Sequence, residues 1–256
     1  MTAAPPLIHH QPSSSGDWLR YFKSNAGEPS LPWSDPYRLT AAERAATVDS
    51  IRQFQLGESG KGRRLLGQAE RFAADRGQPE YFHALRLFVK EEQRHSRMLG
   101  RFLELHGIRP IDRHWVDNMF RFIRGLAGLE LRMRVLATAE VLAMPYYQAL
   151  REATASPLLK AICTRILEEE AMHLRFQAFS FRFFQKGRSP ILNRLASLPD
   201  GALFAGSTAV VWREHGAVFR AAGYSRQRLA EEATRWFPEL RKDSSPATED
   251  SRPTSS

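Results

Sequence analysis

Two short segments constrain this chain more than anything else in it: Glu91-Glu92-Gln93-Arg94-His95 and Glu169-Glu170-Ala171-Met172-His173. Each contains a Glu-x-x-His, and a spacing of three on a helix puts both side chains on one face, a turn apart. A lone copy is a weak signal, and a third one, Glu80-Tyr81-Phe82-His83, is read as an accident. What separates the pair from the accident is the register of the helices around them.

Helix signals fill the chain. Thr40 and Glu43 form a capping box, in which hydroxyl and carboxylate reciprocally satisfy free backbone donors. A helical pattern runs from there to Asp75-Arg76-Gly77-Gln78-Pro79, a strong stop signal. A second helix is expected over about 80–106, a third over about 129–154, and a fourth over about 158–185. Shorter helices follow Pro190, over about 202–222 and 226–237. No β-alternating run competes, so the fold class is all-α. Low-complexity ends, 1–16 and 243–256, are expected to be disordered. One helical domain then spans 17–242, with a bundle over about 40–185 and a C-terminal extension over 190–242.

In antiparallel helices, residues at one height lie equally far from the connecting turn. Glu58 and the Glu92/His95 pair are equidistant from Asp75–Pro79; Glu140 and the Glu170/His173 pair are equidistant from Ser156-Pro157. Glu70 or Glu130 in their place would move the turns into helix interiors. Six side chains, Glu58, Glu92, His95, Glu140, Glu170 and His173, therefore fall at one level. Glu80 and His83 fall at the bundle's end, and His83 faces away from Glu92. Glu91 and Glu169, one turn before their histidines, stay open as alternatives to Glu92 and Glu170.

Four carboxylates gathered in a core repel one another, and an unpaired buried charge is severely costly. Two divalent cations would neutralise them. Imidazole with carboxylate suits iron, manganese or zinc, and the single cysteine, Cys163, offers no thiolate site.

As a set, these motifs resemble the ferritin-like di-iron carboxylate superfamily, over roughly residues 40–185. Glu91–His95 looks especially like the second-helix motif of acyl-carrier-protein desaturases. The resemblance implies a ferritin-like four-helix bundle holding two metal ions, iron with manganese as the alternative. It also implies a division of labour: Glu92 and Glu170 bridge, Glu58 and His95 complete one metal, and Glu140 and His173 complete the other. The implied function is an oxygen-dependent oxidoreductase of hydroxylase, oxidase or desaturase type. Its partners would be dioxygen, a small or carrier-bound substrate and an electron-donor protein. The alternatives are iron handling or peroxide scavenging, as in ferritins and rubrerythrins, or a non-catalytic metal-binding module. No cysteine quartet supports a rubrerythrin-type electron relay.

Composition narrows the partners. The net charge is +9, which suits an acidic carrier, but the basic residues are scattered. The densest knot, Lys61, Arg63 and Arg64, is too short for a nucleic-acid arm. No apolar run approaches the ~18 residues of a membrane span. The N-terminal stretch lacks the basic start and apolar run of a secretory signal. One cysteine excludes an internal disulfide and suits a reducing cytoplasm. A homodimer is left open.

Gly57-Glu58-Ser59-Gly60-Lys61 superficially resembles a phosphate loop, but the first glycine, the final Ser/Thr and a preceding strand are all missing. The glycines mark either a helix break or space: Gly62 and Ala143 are expected to leave room beside Glu58 and Glu140. Pro145 is expected to kink or bulge the third helix.

Overall fold

The computed structural model describes residues 12–113, 128–186, 189, 199–237 and 240. All the regular structure among them is helical. The helices are α1 (Ser15–Ser24), α2 (Ala41–Glu58), α3 (Arg63–Asp75), α4 (Pro79–Leu105), α5 (Leu129–Glu152), α6 (Pro157–Gln185), α7 (Pro199–Ala221) and α8 (Arg226–Thr234). Residues 1–11, 114–127 and 241–256 lie outside the described residues, and with them most of both ends expected to be disordered. No helix among the described residues is long and apolar enough to cross a membrane.

Local chemistry sets the turns. Arg76 ends α3, and Gly77 follows in the left-handed region (φ 61°). There the amide of Gln78 donates to the carbonyl of Ala73 and that of Gly77 to Ala74, the double closure of a Schellman turn. Pro79 then starts α4, where no amide partner is needed. At the other hairpin, the Ser156 hydroxyl accepts from the Leu159 amide, and Pro157 opens α6. Glu43 serves twice. Its carboxylate closes the capping box with Thr40 and also accepts from the Ala155 amide at 2.7 Å. This clasps the start of α2 to the α5–α6 turn.

The single helix expected from Thr40 to Asp75 is two helices. Ser59–Lys61 leave the helical path, and Gly62 takes the left-handed conformation (φ 57°) before α3 restarts. A Cβ at Gly62 would lie 3.1 Å from Val89 Cγ1. Gly62→Ala is therefore expected to lower stability by about 1–2 kcal/mol, from the left-handed conformation and the Val89 contact. A fall in the urea midpoint at unchanged slope would register it.

Helix α1 begins at Ser15, inside the segment expected to lack structure. Ser14 and Asp17 form its capping box, and Trp18 and Phe22, one turn apart, are fully buried. Helix α5 continues through Pro145 and is α-helical on both sides of it.

α4 packs against α1, α2, α3 and α6; α5 packs against α6, α3, α7 and α8. Two apolar clusters bracket the middle of these helices. One includes Ile51, Leu99, Phe102, Tyr146 and Ile162; the other includes Trp18, Phe22, Leu85, Phe88 and Phe176. The acidic residues and histidines lie between them.

Candidate metal centre

All six side chains singled out by register meet at one place. Glu92, Glu140, Glu170 and His173 form one group that could hold a metal ion; Glu58, His95 and Glu170 form a second. Glu170 belongs to both. The ligand atoms of each group lie within 4.8 Å of one another, a few tenths of an ångström above the about 4.4 Å that two opposed metal–ligand bonds span, so small side-chain shifts would bring them onto one ion.

The two histidines face the cluster through Nδ1. His173 Nδ1 lies 2.9 Å from Glu92 Oε1 and 3.3 Å from Glu170 Oε2. His95 Nδ1 lies 3.5 Å from Glu170 Oε1, 3.9 Å from Glu92 Oε1 and 4.0 Å from Glu58 Oε2. Glu170 thus turns one oxygen to each histidine. Glu70 is exposed, and Glu130 pairs with Arg134 at 3.0 Å, so neither joins the cluster. Glu80 lies exposed in the first turn of α4.

Glu91 and Glu169 take a different part. The step of about 100° from each to the next glutamate aims them at the outer edges of the imidazoles, and they cross between helices. Glu91 on α4 holds His173 Nε2 at 3.0 Å, while Glu169 on α6 holds His95 Nε2 at 2.6 Å. A carboxylate that accepts the Nε2 proton orients the ring and leaves Nδ1 as a donor towards a metal. These outer carboxylates are themselves anchored. Asn25 Nδ2 donates to Glu91 Oε1 at 2.7 Å and to Glu169 Oε1 at 3.2 Å. Arg94 bridges the same two oxygens, and Arg165 reaches Glu169 at 2.5 Å. Helix α1 and the residues after it close this side, with Phe22 and Phe88 against the His173 ring.

Of this outer layer, Arg94 and Arg165 carried a signal: they stand one turn from Glu91 and Glu169. Asn25 carried none of its own. The Ser14–Asp17 box with Trp18 and Phe22 could have revealed the helix that delivers it.

Protonation reports how crowded the site is. Burial, with Glu92 and Glu170 adding to it, raises the Glu58 carboxyl to about 8, against the pull of His95 and a hydrogen bond from the Tyr147 hydroxyl. Burial likewise holds Glu140 well above the usual carboxylate range, although Gln177 donates to it at 2.5 Å. For Glu170, burial is outweighed by the two histidines, and its carboxyl falls to about 2. Burial alone would lower both histidines; the surrounding glutamates reverse this and hold them well above their usual range. Protons therefore do the neutralising when no metal is bound.

The cluster's inward atoms form a ligand set. Glu58 Oε2, Glu92 Oε1, Glu140 Oε2, Glu170 Oε2 and both Nδ1 atoms are buried without an aligned hydrogen bond; His173 Nδ1 and His95 Nδ1 meet the glutamate oxygens only as ion pairs, at 2.9–4.0 Å. What marks these six is convergence: they belong to the six predicted residues and gather in two groups whose atoms lie within 4.8 Å of one another. The arrangement fits divalent ions. Metal uptake must displace protons, so affinity is expected to rise with pH through the ordinary carboxylate and histidine ranges and on through about 8, where Glu58 loses its proton, since both histidines and Glu140 are also raised. Uptake in weak buffer at pH 7 should release acid, measurable with a pH indicator.

The opposite side is open. A cleft of about 620 Å³ enters at the break between α2 and α3 and reaches Glu58 and Glu92. Gly57, Gly60 and Gly62 border it, so the glycines provide both the break and the space. Ala143 does not line it; it packs in the cluster with Ile51 and Leu99, and the space expected beside Glu140 is not part of this opening. Tyr147 and Cys163 are buried core residues, with the Cys163 thiol pushed up by burial.

The wider comparisons add no relative. No protein-family model matches the chain, and no curated protein or solved structure matches it either. What the chain does rests on its own geometry: an all-helical protein with a buried glutamate–histidine cluster that could hold metal ions.

Proposed function

We propose that this chain is a ferritin-like four-helix protein with a two-metal, di-iron carboxylate centre, and that it works as an oxygen-dependent oxidoreductase on an organic substrate. The observation that carries the reading is the convergence of four glutamates and two histidines in two groups sharing Glu170. In this reading α2 with α3, α4, α5 and α6 are the four members of the bundle. Glu58 and His95 hold one ion, Glu140 and His173 the other, and Glu92 and Glu170 stand between them. Metal ions held there would supply redox chemistry for the activation of dioxygen towards an organic substrate.

The chain's own part is to position and to screen. Glu91 and Glu169 fix the ring orientations, Asn25 and Arg94 hold those carboxylates, and Phe22 keeps water from the closed side. The open cleft favours an enzyme over a store or a structural site, because it leads from solvent to two of the ligands. Iron rather than manganese and a cytoplasmic setting belong to the same proposal.

Anaerobically loaded ferrous protein is expected to consume dioxygen in about one equivalent per two irons, with no growth of a mineral core. Leu136→Trp, on the cleft wall, should suppress oxidation of organic substrates while sparing metal content. Many irons taken up per chain as mineral, with no organic oxidation, would contradict the enzyme reading.

A further inference from the structure

The rim of the cleft is basic. Lys61, Arg63, Arg64 and Arg132 line it, while the acidic residues that line it, Glu58 and Glu92, lie towards the ligand cluster. Among the described residues Lys61, Arg63 and Arg64 are exposed and form no ion pair. Burial, and then the like charge of Arg64, push the Arg132 guanidinium below its ordinary range, so two cations crowd one end of the opening. Helix α3 adds to this. It starts at Gly62 with no side-chain cap and no acidic residue in its first turn, leaving free amides and the positive end of the helix dipole at the rim. Between rim and floor the wall is apolar: Leu65, Phe88, Val89 and Leu136. At the floor, Glu58 is nine-tenths buried with its Oε2 unpartnered.

We infer that the cleft takes an amphiphilic organic anion, its carboxylate or phosphate-monoester head at Lys61 and Arg64 and its apolar body lying along Phe88, Val89 and Leu136 towards Glu58 and Glu92. Guanidinium pairs match both heads by two parallel hydrogen bonds. A volume of about 620 Å³ lies within the range that binds small organic ligands. The segment rejected as a nucleotide loop on its motif is thus an anion site of another kind, in which arginines and a helix start replace the glycine-rich cradle. The inference rests on the proposed function for one point only, that the end of the ligand at the floor is the end that reacts.

Calorimetric titration of the metal-free full-length chain with decanoate, decyl phosphate and 1-decanol tests it. Decanoate, decyl phosphate or both should bind at least about 10-fold more tightly than decanol, and which acid is preferred identifies the head. Arg64→Gln, at an exposed position, should weaken acid binding about 10-fold and leave decanol unchanged, since a charge-assisted hydrogen bond contributes ~1.5–3 kcal/mol. Arg226→Gln on α8 makes the same change in net charge away from the cleft and should have no effect. Decanol binding as tightly as the acids, equal effects of the two substitutions, or no binding of either acid would overturn the inference. The last result would leave the charge to a macromolecular acidic partner. Charge-selective binding by a protein that takes up no metal would uphold the cleft and overturn the metal centre; metal uptake without charge selectivity would do the reverse.

Discussion

Glu170→Ala is expected to remove both metal ions, whereas Glu58→Ala and Glu140→Ala should each weaken one. Glu170 is common to the two groups, with Oε1 3.5 Å from His95 Nδ1 and Oε2 3.3 Å from His173 Nδ1. Without it, each ion loses a ligand, and the charge that holds the two cations together falls by one. Glu58 lies in one group only and Glu140 in the other. Loss of an outer partner of a metal ligand already costs about 10–100-fold in affinity, so loss of a shared ligand should exceed that at both positions. Anaerobic equilibrium dialysis against ferrous iron reads the stoichiometry of each variant. Two ions retained by Glu170→Ala would place the ligands elsewhere.

The second large effect concerns stability. Arg94 is almost fully buried, and it holds three parts of the chain together. Its guanidinium meets Glu91 and Glu169 and also donates to the carbonyls of Asn25 at 2.7 Å and Gly27 at 3.1 Å. Arg94→Met keeps much of the volume but leaves two carboxylates in the interior short of positive charge. Breaking a buried pair in this way costs about 3–5 kcal/mol, a large share of the ~5–15 kcal/mol that holds a typical domain folded. Urea unfolding of the metal-free protein should show this loss, and Arg94→Lys, which keeps the charge without the fork, should recover part of it. A loss below about 1 kcal/mol would mean that the network does not bear on stability.

Much of this was legible in the sequence, for identifiable reasons. The ends of α4, α5 and α6 follow from Pro79, Pro157 and the turn residues before them, because proline fixes where a helix can start. The meeting of Glu140 with His173 follows from distance to a turn, which needs no knowledge of packing; Glu58 meets His95 at the level that count gave, although the helix it assumed breaks at 59–62. The layer behind the ligands was not legible in the same way. Whether Glu91 or Glu92 points inward depends on the rotation of α4 about its axis, and α6 and α1 fix that rotation through contacts remote in sequence. Asn25 reaches Glu91 across 66 residues and Glu169 across 144, and no local pattern encodes either contact. The α2–α3 break was ambiguous because glycine weakens a helix without stating whether it ends; the left-handed Gly62 against Val89 decides it. Ala143 misled for the converse reason: a small residue beside a ligand signals space only if its neighbours do not fill it.

Elemental analysis of the purified chain after anaerobic reconstitution with ferrous iron and removal of unbound metal tests the central claim most directly. Six converging glutamate and histidine side chains in two groups that share Glu170 predict about two irons per chain. A chain that remains folded and holds no iron would contradict the account.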